Sequence, residues 1–129
     1  TDVSGSSSYL ERGVVTYSNA SKTALLHVPQ EILAQHGAVS EPTARRMAEG
    51  IRTAAGVDLG LSTTGIAGPT GAVPGKPVGT VYIALAHASG TICRHYVFRR
   101  DRRKVKIAAA HTALMMLREY LLCCVSGDN

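Results

Sequence analysis

The 129-residue sequence contains no tryptophan and one phenylalanine, and aromatic residues make up only 5% of it. Modules that bind single-stranded RNA usually stack bases on aromatic side chains, and no such motif is present. Six cationic residues crowd the range 99–106, but clusters of this kind are usually solvated. We therefore expect no nucleic-acid partner, and a basic RNA-binding module is the weakest of the interpretations left open.

Long apolar runs are also lacking, and the first residues carry neither a basic nor an apolar leader segment. The sequence thus predicts a cytoplasmic protein without a membrane partner. The three cysteines, Cys93, Cys123 and Cys124, fit neither a disulfide framework nor metal-ligand spacing. The five histidines share no short spacing, so we expect reduced thiols, no metal site and no cofactor.

Hydrophobic residues make up 45% of the chain and charged residues 18%, a composition typical of one folded domain over residues 1–129. The net charge of +5 makes an anionic partner plausible, such as a phosphorylated metabolite. The chain begins at Thr1 with a serine-rich turn close behind, which we interpret as a domain lacking its N-terminal segment.

The order of the predicted elements indicates an α/β fold. Gly13–Tyr17 has strand composition, Asn19 is the expected cap of a helix to Leu26, and Pro29 is expected to open a helix that Gly37 ends. Ser40 is expected to cap a stronger helix that ends at Gly56, and a second strand covers 57–64. Because helices connect the two strands, the pair should be parallel.

Two further strands, at 78–87 and 91–98, should form an antiparallel hairpin, since the gap between them is too short for a crossover. A long helix should run from Asp101 to about Val125. Its apolar stripe should pack on the sheet, and that stripe consists of Ile107, Ala110, Leu114, Leu117 and Leu121. The predicted architecture has three layers, α/β/α, around a mixed and mostly parallel sheet. Its alanine-rich helix faces are compatible with a monomer or a homo-oligomer.

The glycine-rich segment Thr63–Gly79 follows the end of the second predicted strand, where open α/β sheets usually bind ligands. Glycines let backbone N–H groups converge on an anion or an oxyanion. A flexible surface connection is the alternative. The segment is not a P-loop, because it lacks the Gly-x4-Gly-Lys-Ser/Thr pattern.

Tyr17, Ser18, Asn19 and Lys22 should reach the same edge of the sheet as Thr64 if the two strands are parallel. Lys22 could neutralise a phosphate or, if desolvated, act as the base for a serine nucleophile. It could also be a solvated surface residue. Arg102 lies in the first turn of the last helix, where unpaired N–H groups already favour an anion such as a phosphate.

Four ordered motifs resemble the C-terminal domain of the CinA (competence/damage-inducible) family, which includes nicotinamide-nucleotide amidases. They are Gly13-Val-Val-Thr-Tyr-Ser-Asn-x-x-Lys22, His36-Gly-Ala-Val-Ser-Glu41, Thr64-Gly-Ile-Ala-Gly-Pro69 and Lys76-Pro-Val-Gly-Thr-Val-Tyr82. The likeness covers about residues 4–117. It implies hydrolysis of the carboxamide of nicotinamide mononucleotide, a small-molecule nucleotide, to nicotinate mononucleotide and ammonia.

The resemblance also implies roles for residues. The catalytic set would be Tyr17, Lys22 and Thr64, and the substrate-binding set Ser18, Asn19, Gly65, Ile66, Ala67, Gly68, Lys76 and Arg102. The family's nucleophile is a serine in a Glu-Ser-Cys-Thr-Gly-Gly motif, which this sequence lacks. The chain would therefore hold an incomplete active site with the serine upstream. Arg100 stands where the family usually has glycine. A non-catalytic nucleotide-binding or regulatory domain is the first alternative.

Overall fold

The computed structural model describes residues 1–126, with side chains through residue 124. After a short 3-10 turn at Ser6–Ser8 come helices α1 (Asn19–Leu26), α2 (Gln30–His36) and α3 (Glu41–Ala55). Strand β1 (Gly60–Gly65), strand β2 (Thr80–His87), strand β3 (Gly90–Val97) and helix α4 (Arg102–Ser126) follow. The strands form one sheet in the order β1-β2-β3, and both pairs are antiparallel.

Most helix limits agree with the sequence prediction because the capping residues behave as expected. The Ser40 hydroxyl accepts a hydrogen bond from the Thr43 N–H at 3.3 Å, and Gly56 ends α3 in the left-handed conformation. For α1 the prediction was off by one residue. Ser18 is the cap, in a reciprocal capping box with Ser21, and Asn19 is the first helical residue.

The two faces of β2 contact different helices. Val81, Ile83 and Leu85 pack in a core cluster with buried residues of α4. Ala84 and Ala86, on the other face, pack against Ala44 and Ala48 of α3. This alternation, which follows from the two-residue period of a strand, places the sheet between helices on both sides. The expected layering is therefore present.

The prediction of a mostly parallel sheet is wrong. β1 pairs with β2 in antiparallel register, from Gly60 opposite Ala86 to Gly65 opposite Val81. Gly13–Tyr17 is not a strand, and Val15 and Tyr17 are 86% and 85% exposed. A β-branched sequence favours extended backbone, but a strand also requires a hydrogen-bonding neighbour. Within the described residues this segment has none in the sheet.

The predicted packing stripe of α4 is mostly wrong, because of its five residues only Leu117 packs against the core cluster. The residues that face the sheet are Val105, Ala109, Ala113 and Met116. Ile107 and Leu114 are instead 58% and 61% exposed. Both stripes are apolar at helical spacing, so periodicity alone could not choose between them.

Helix α4 has the predicted extent to within one residue at each end, but it is more apolar than the sequence analysis anticipated. From Arg102 to Cys124 it meets the length and composition of a membrane span, with a mean hydropathy of 1.2 in its most apolar window. Core helices of globular domains can meet the same criteria.

Candidate active site

Arg102 connects the two segments that the sequence singled out. Its Nη1 donates to the Gly68 carbonyl at 2.9 Å, and its Nη2 lies 3.4 Å from the Tyr17 hydroxyl. Tyr17 and the glycine-rich loop thus meet as expected, but through an arginine of α4 and not through parallel strand pairing. The guanidinium is exposed and keeps further N–H groups for a ligand.

Lys22 lies in the first turn of α1, and only 6% of it is exposed. Its ammonium donates to the Thr16 carbonyl at 2.6 Å, and none of the salt bridges among the described residues includes it. Burial disfavours the charged form and lowers the pKa of Lys22 below its usual 10.5. The solvated-surface interpretation of this lysine is therefore wrong.

Thr64 and Lys76 attach β1 and the glycine-rich loop to the turn after α2. The buried Thr64 hydroxyl donates to the Ala38 carbonyl at 2.7 Å, and Lys76 Nζ donates to the His36 carbonyl at 2.8 Å. The Thr64 hydroxyl proton is committed to its contact, whereas the Lys76 ammonium has three N–H groups and uses one of them here. Thr64 and Lys76 thus hold the walls of the site in place. The carbonyls of His36 and Ala38 were not predicted to take part, because a backbone carbonyl leaves no residue-type signal.

The loop itself is folded against the sheet. The strand includes Gly65, so the loop begins at Ile66, whose N–H donates to the Thr80 carbonyl at 2.8 Å. Gly68 has φ near +83°, and a side chain there would lie 2.4 Å from Val78. Residues 69–75 of the segment are exposed, so its packing against the sheet is at its two ends. The N–H groups of Ala67 and Gly68 donate to no protein acceptor among the described residues.

The other predicted site residues take part in a helix cap, lie exposed or line a groove. The Ser18 hydroxyl accepts from the Ser21 N–H at 3.0 Å, which engages it in the helix cap. Asn19 is exposed at the start of α1. Gly65 and Ala67 line a groove of about 190 Å³ between β1 and α4. Lys106 also lines this groove, and sequence reasoning had left it within the cationic cluster.

Arg100 lies apart from this groove. It lines a second concavity of about 340 Å³ on α4, with Lys104, His111 and Phe98 among its other walls. Arg100 therefore adds a cation to this second concavity. Among the described residues, no group of three or more His, Cys, Asp or Glu side chains is arranged to hold a metal ion.

Known proteins resemble this chain over nearly its whole length. A family model described as the CinA C-terminal domain matches residues 1–121. A CinA-like protein of Syntrophus aciditrophicus is 66% identical over 122 residues, which are 94% of this chain and 29% of that protein. Another, from Citrifermentans bemidjiense, is 53% identical over 95% of this chain and 30% of its own length. The chain thus spans less than a third of these curated relatives.

Solved structures agree with the fold. The competence damage-inducible protein A (ComA) of Klebsiella pneumoniae superposes with a TM-score of 0.90 at 36% identity, over 94% of this chain and 75% of that one. The competence/damage inducible protein CihA of Agrobacterium tumefaciens gives 0.84 at 37% identity, over 92% and 73%.

Proposed function

The chain belongs to the CinA C-terminal domain family, and on that premise we propose that it forms most of the active site of an amidase. The substrate is nicotinamide mononucleotide, and the products are nicotinate mononucleotide and ammonia. The serine nucleophile comes from the polypeptide upstream of Thr1, in the motif that this sequence lacks.

The buried Lys22 is the observation that carries this proposal. An ammonium group with a single carbonyl partner and no carboxylate is an unfavourable arrangement for stability alone. Its lowered pKa increases the fraction of neutral amine, which is the form that can accept a proton from a serine. Perturbed lysines of this kind are concentrated at functional sites.

In the proposed reaction the neutral amine of Lys22 accepts the serine proton while the serine oxygen attacks the amide carbon. The free N–H groups of Ala67 and Gly68 stabilise the oxyanion. The Lys22 ammonium then returns the proton to the leaving nitrogen, which departs as ammonia. Water, deprotonated by the same amine, attacks the resulting ester and releases nicotinate mononucleotide with the serine restored.

Arg102 is proposed to bind the phosphate of the substrate. The guanidinium already fixes Gly68 and Tyr17 around it, and the first turn of α4 adds its own favourable dipole. Tyr17, which the resemblance makes a catalytic partner of Lys22, lies with its hydroxyl toward Arg102. We therefore assign it to the wall of the nucleotide subsite.

The test uses the full-length polypeptide and measures ammonia released from nicotinamide mononucleotide and from nicotinamide riboside, which lacks the phosphate. We expect a strong preference for the mononucleotide. Arg102→Lys should reduce that preference at least tenfold by raising the KM for the mononucleotide alone. Arg103→Lys, one position along the helix, is the matched control and should change neither the preference for the mononucleotide nor its KM.

A non-catalytic nucleotide-binding domain is the second candidate, favoured by the absence of the serine motif from these 129 residues. It predicts a calorimetric signal with nicotinamide mononucleotide and no ammonia release from the full-length polypeptide. That pair of results would replace the amidase proposal with the binding one.

A further inference from the structure

The second concavity combines basic side chains with an apolar wall. Its volume of about 340 Å³ lies near the lower end of the range of roughly 300–1,000 Å³ that is typical of small-molecule sites. Arg100, Lys104 and His111 supply nitrogen donors, and Phe98 and Ile107 supply apolar surface. No carboxylate is among the described residues that line it. These properties suit a small anion that also has an apolar part.

One wall of the second concavity is a face of helix α4. Lys104, Ala108 and His111 follow one another at steps of four and three residues, so their side chains lie above one another on the helix. Ala108 has only a methyl group and leaves the space between the two longer side chains open. An imidazole donates an N–H in its neutral as well as its charged form. The helix therefore presents two donors with room between them.

The other wall is the turn between β3 and α4, which the backbone holds in place. The Phe98 N–H donates to the Gly79 carbonyl, and the Arg100 N–H donates to the Phe98 carbonyl, both at 2.9 Å. The half-buried Phe98 ring stacks on Tyr96, with the ring centroids 5.5 Å apart and the planes 8° from parallel. A wall that is already ordered lowers the entropy cost of binding a ligand.

The protein neutralises the cations of the second concavity only weakly. Arg100 and His111 take part in none of the salt bridges among the described residues. Lys104 Nζ lies 3.3 Å from a carboxylate oxygen of Asp101, but these side chains are 66% and 57% exposed, so solvent screens the pair. A phosphate group has enough oxygens to accept two hydrogen bonds from Arg100 and a third from Lys104.

The second concavity is separate from the groove of the candidate active site. Thr63–Gly65 of β1 line that groove, whereas Phe98, which follows β3, lines the second concavity. Strand β2 lies between β1 and β3, so the two sites are on opposite sides of α4. Among the described residues, none lines both. A ligand in the second concavity therefore leaves the groove unoccupied.

We propose that the second concavity binds a nucleoside phosphate, as a ligand site additional to the candidate active site. The phosphate lies between Arg100 and Lys104 and accepts a further hydrogen bond from His111. The base packs against Phe98 and covers Ile107, which is 58% exposed. Inorganic phosphate would leave the apolar wall uncovered, and a nucleoside would leave the cations without a counter-charge. The inference does not depend on the amidase reaction.

Isothermal titration calorimetry on the full-length polypeptide tests the class of ligand. The probes are the monophosphates of adenosine, guanosine, cytidine and uridine, their four nucleosides, and inorganic phosphate. We expect at least one nucleotide to bind, and its nucleoside and inorganic phosphate each to bind at least about tenfold more weakly. No saturable binding of any nucleotide up to about 1 mM would overturn the proposal. Equal affinities for the nucleotide and either of its parts would also overturn it.

A matched pair of substitutions locates the bound nucleotide. Arg100→Gln should raise its Kd at least about tenfold, because the phosphate loses a charge-assisted contact. Arg99→Gln removes the same charge from an adjacent exposed residue that does not line the concavity, and should change the Kd less than about twofold. Both side chains are exposed, so both variants should fold.

Two results with these variants would overturn the proposal. Equal weakening by Arg99→Gln and Arg100→Gln would mean that the whole cationic cluster attracts the nucleotide without a defined site. An unchanged Kd in Arg100→Gln, together with weaker binding in Arg102→Lys, would place the nucleotide in the candidate active site. Neither measurement requires catalysis.

Discussion

Replacing Lys22 with methionine should separate catalysis from stability. Methionine keeps the length and the apolar stem of the side chain but cannot accept a proton. Loss of a general base typically reduces the rate by ~10²–10⁴. Such a loss corresponds to a barrier increase of about 3–5 kcal/mol. We expect a decrease of this size in kcat for ammonia release by the full-length polypeptide.

Stability should change little in the same variant. The bond from the Lys22 ammonium to the Thr16 carbonyl, 2.6 Å long, is lost. A charge-assisted hydrogen bond contributes about 1.5–3 kcal/mol. Removing a buried ammonium without a carboxylate partner relieves a desolvation cost of similar size. We therefore expect the free energy of unfolding, measured by urea titration, to stay within about 1 kcal/mol of the parent.

The pH dependence gives an independent check. Since burial lowers the pKa of Lys22, kcat/KM should rise with pH through an apparent pKa below 10.5. Between that apparent pKa and pH 10.5, Lys22 is deprotonated in the folded chain but protonated in the unfolded chain. The free energy of unfolding should therefore also rise with pH in this window. Lys22→Arg keeps the charge, but its guanidinium stays protonated and cannot accept the serine proton, so this variant should be as inactive as Lys22→Met. Turnover within threefold of the parent in either folded variant would refute the base role.

Two further predictions concern stability and thiol chemistry. Gly50→Ala would place a Cβ 1.9 Å from the Leu26 carbonyl oxygen, so it should lower the free energy of unfolding in urea titration by at least roughly 1–3 kcal/mol. Gly13→Ala is the control and should be nearly neutral, because nothing lies within 4 Å of a Cβ there. Burial raises the pKa of Cys93 from 9.0 to about 11, so iodoacetamide at pH 8 should modify the exposed Cys123 well before Cys93, and equal rates would contradict that burial.

The sequence predicted the parts of the fold that depend on local signals. Ser40 and Gly56 fix the limits of α3 by their own hydrogen bonds and conformation, and the short gap at residues 88–89 determines the hairpin. The strand assigned to Gly13–Tyr17 failed because a strand depends on a neighbour, which is not among the described residues. The stripe of α4 failed for a related reason, since two of its faces are apolar.

In the candidate site, too, local signals were predicted from the sequence and tertiary contacts were not. Residue types identified Lys22 and Arg102 as candidates, and the structure places Arg102 between Tyr17 and Gly68. The burial of Lys22 could not be read from sequence, because it depends on the layers packed around α1. The carbonyls that hold Thr64 and Lys76 were equally invisible, since every residue has a carbonyl.

The alanines between α3 and the sheet have a mechanical consequence. Ala44 and Ala48 meet Ala84 and Ala86 with none of the four more than 2% exposed, and the Ser62 hydroxyl donates to the Ala44 carbonyl at 2.7 Å. Short side chains bring the backbones close together and leave no long rotamers to absorb a displacement. The α3 side is therefore stiff, and the turn at Ala38 that precedes it moves with the sheet. For the proposed amidase, we therefore expect the displacement that admits substrate on the α4 side, where the groove lies.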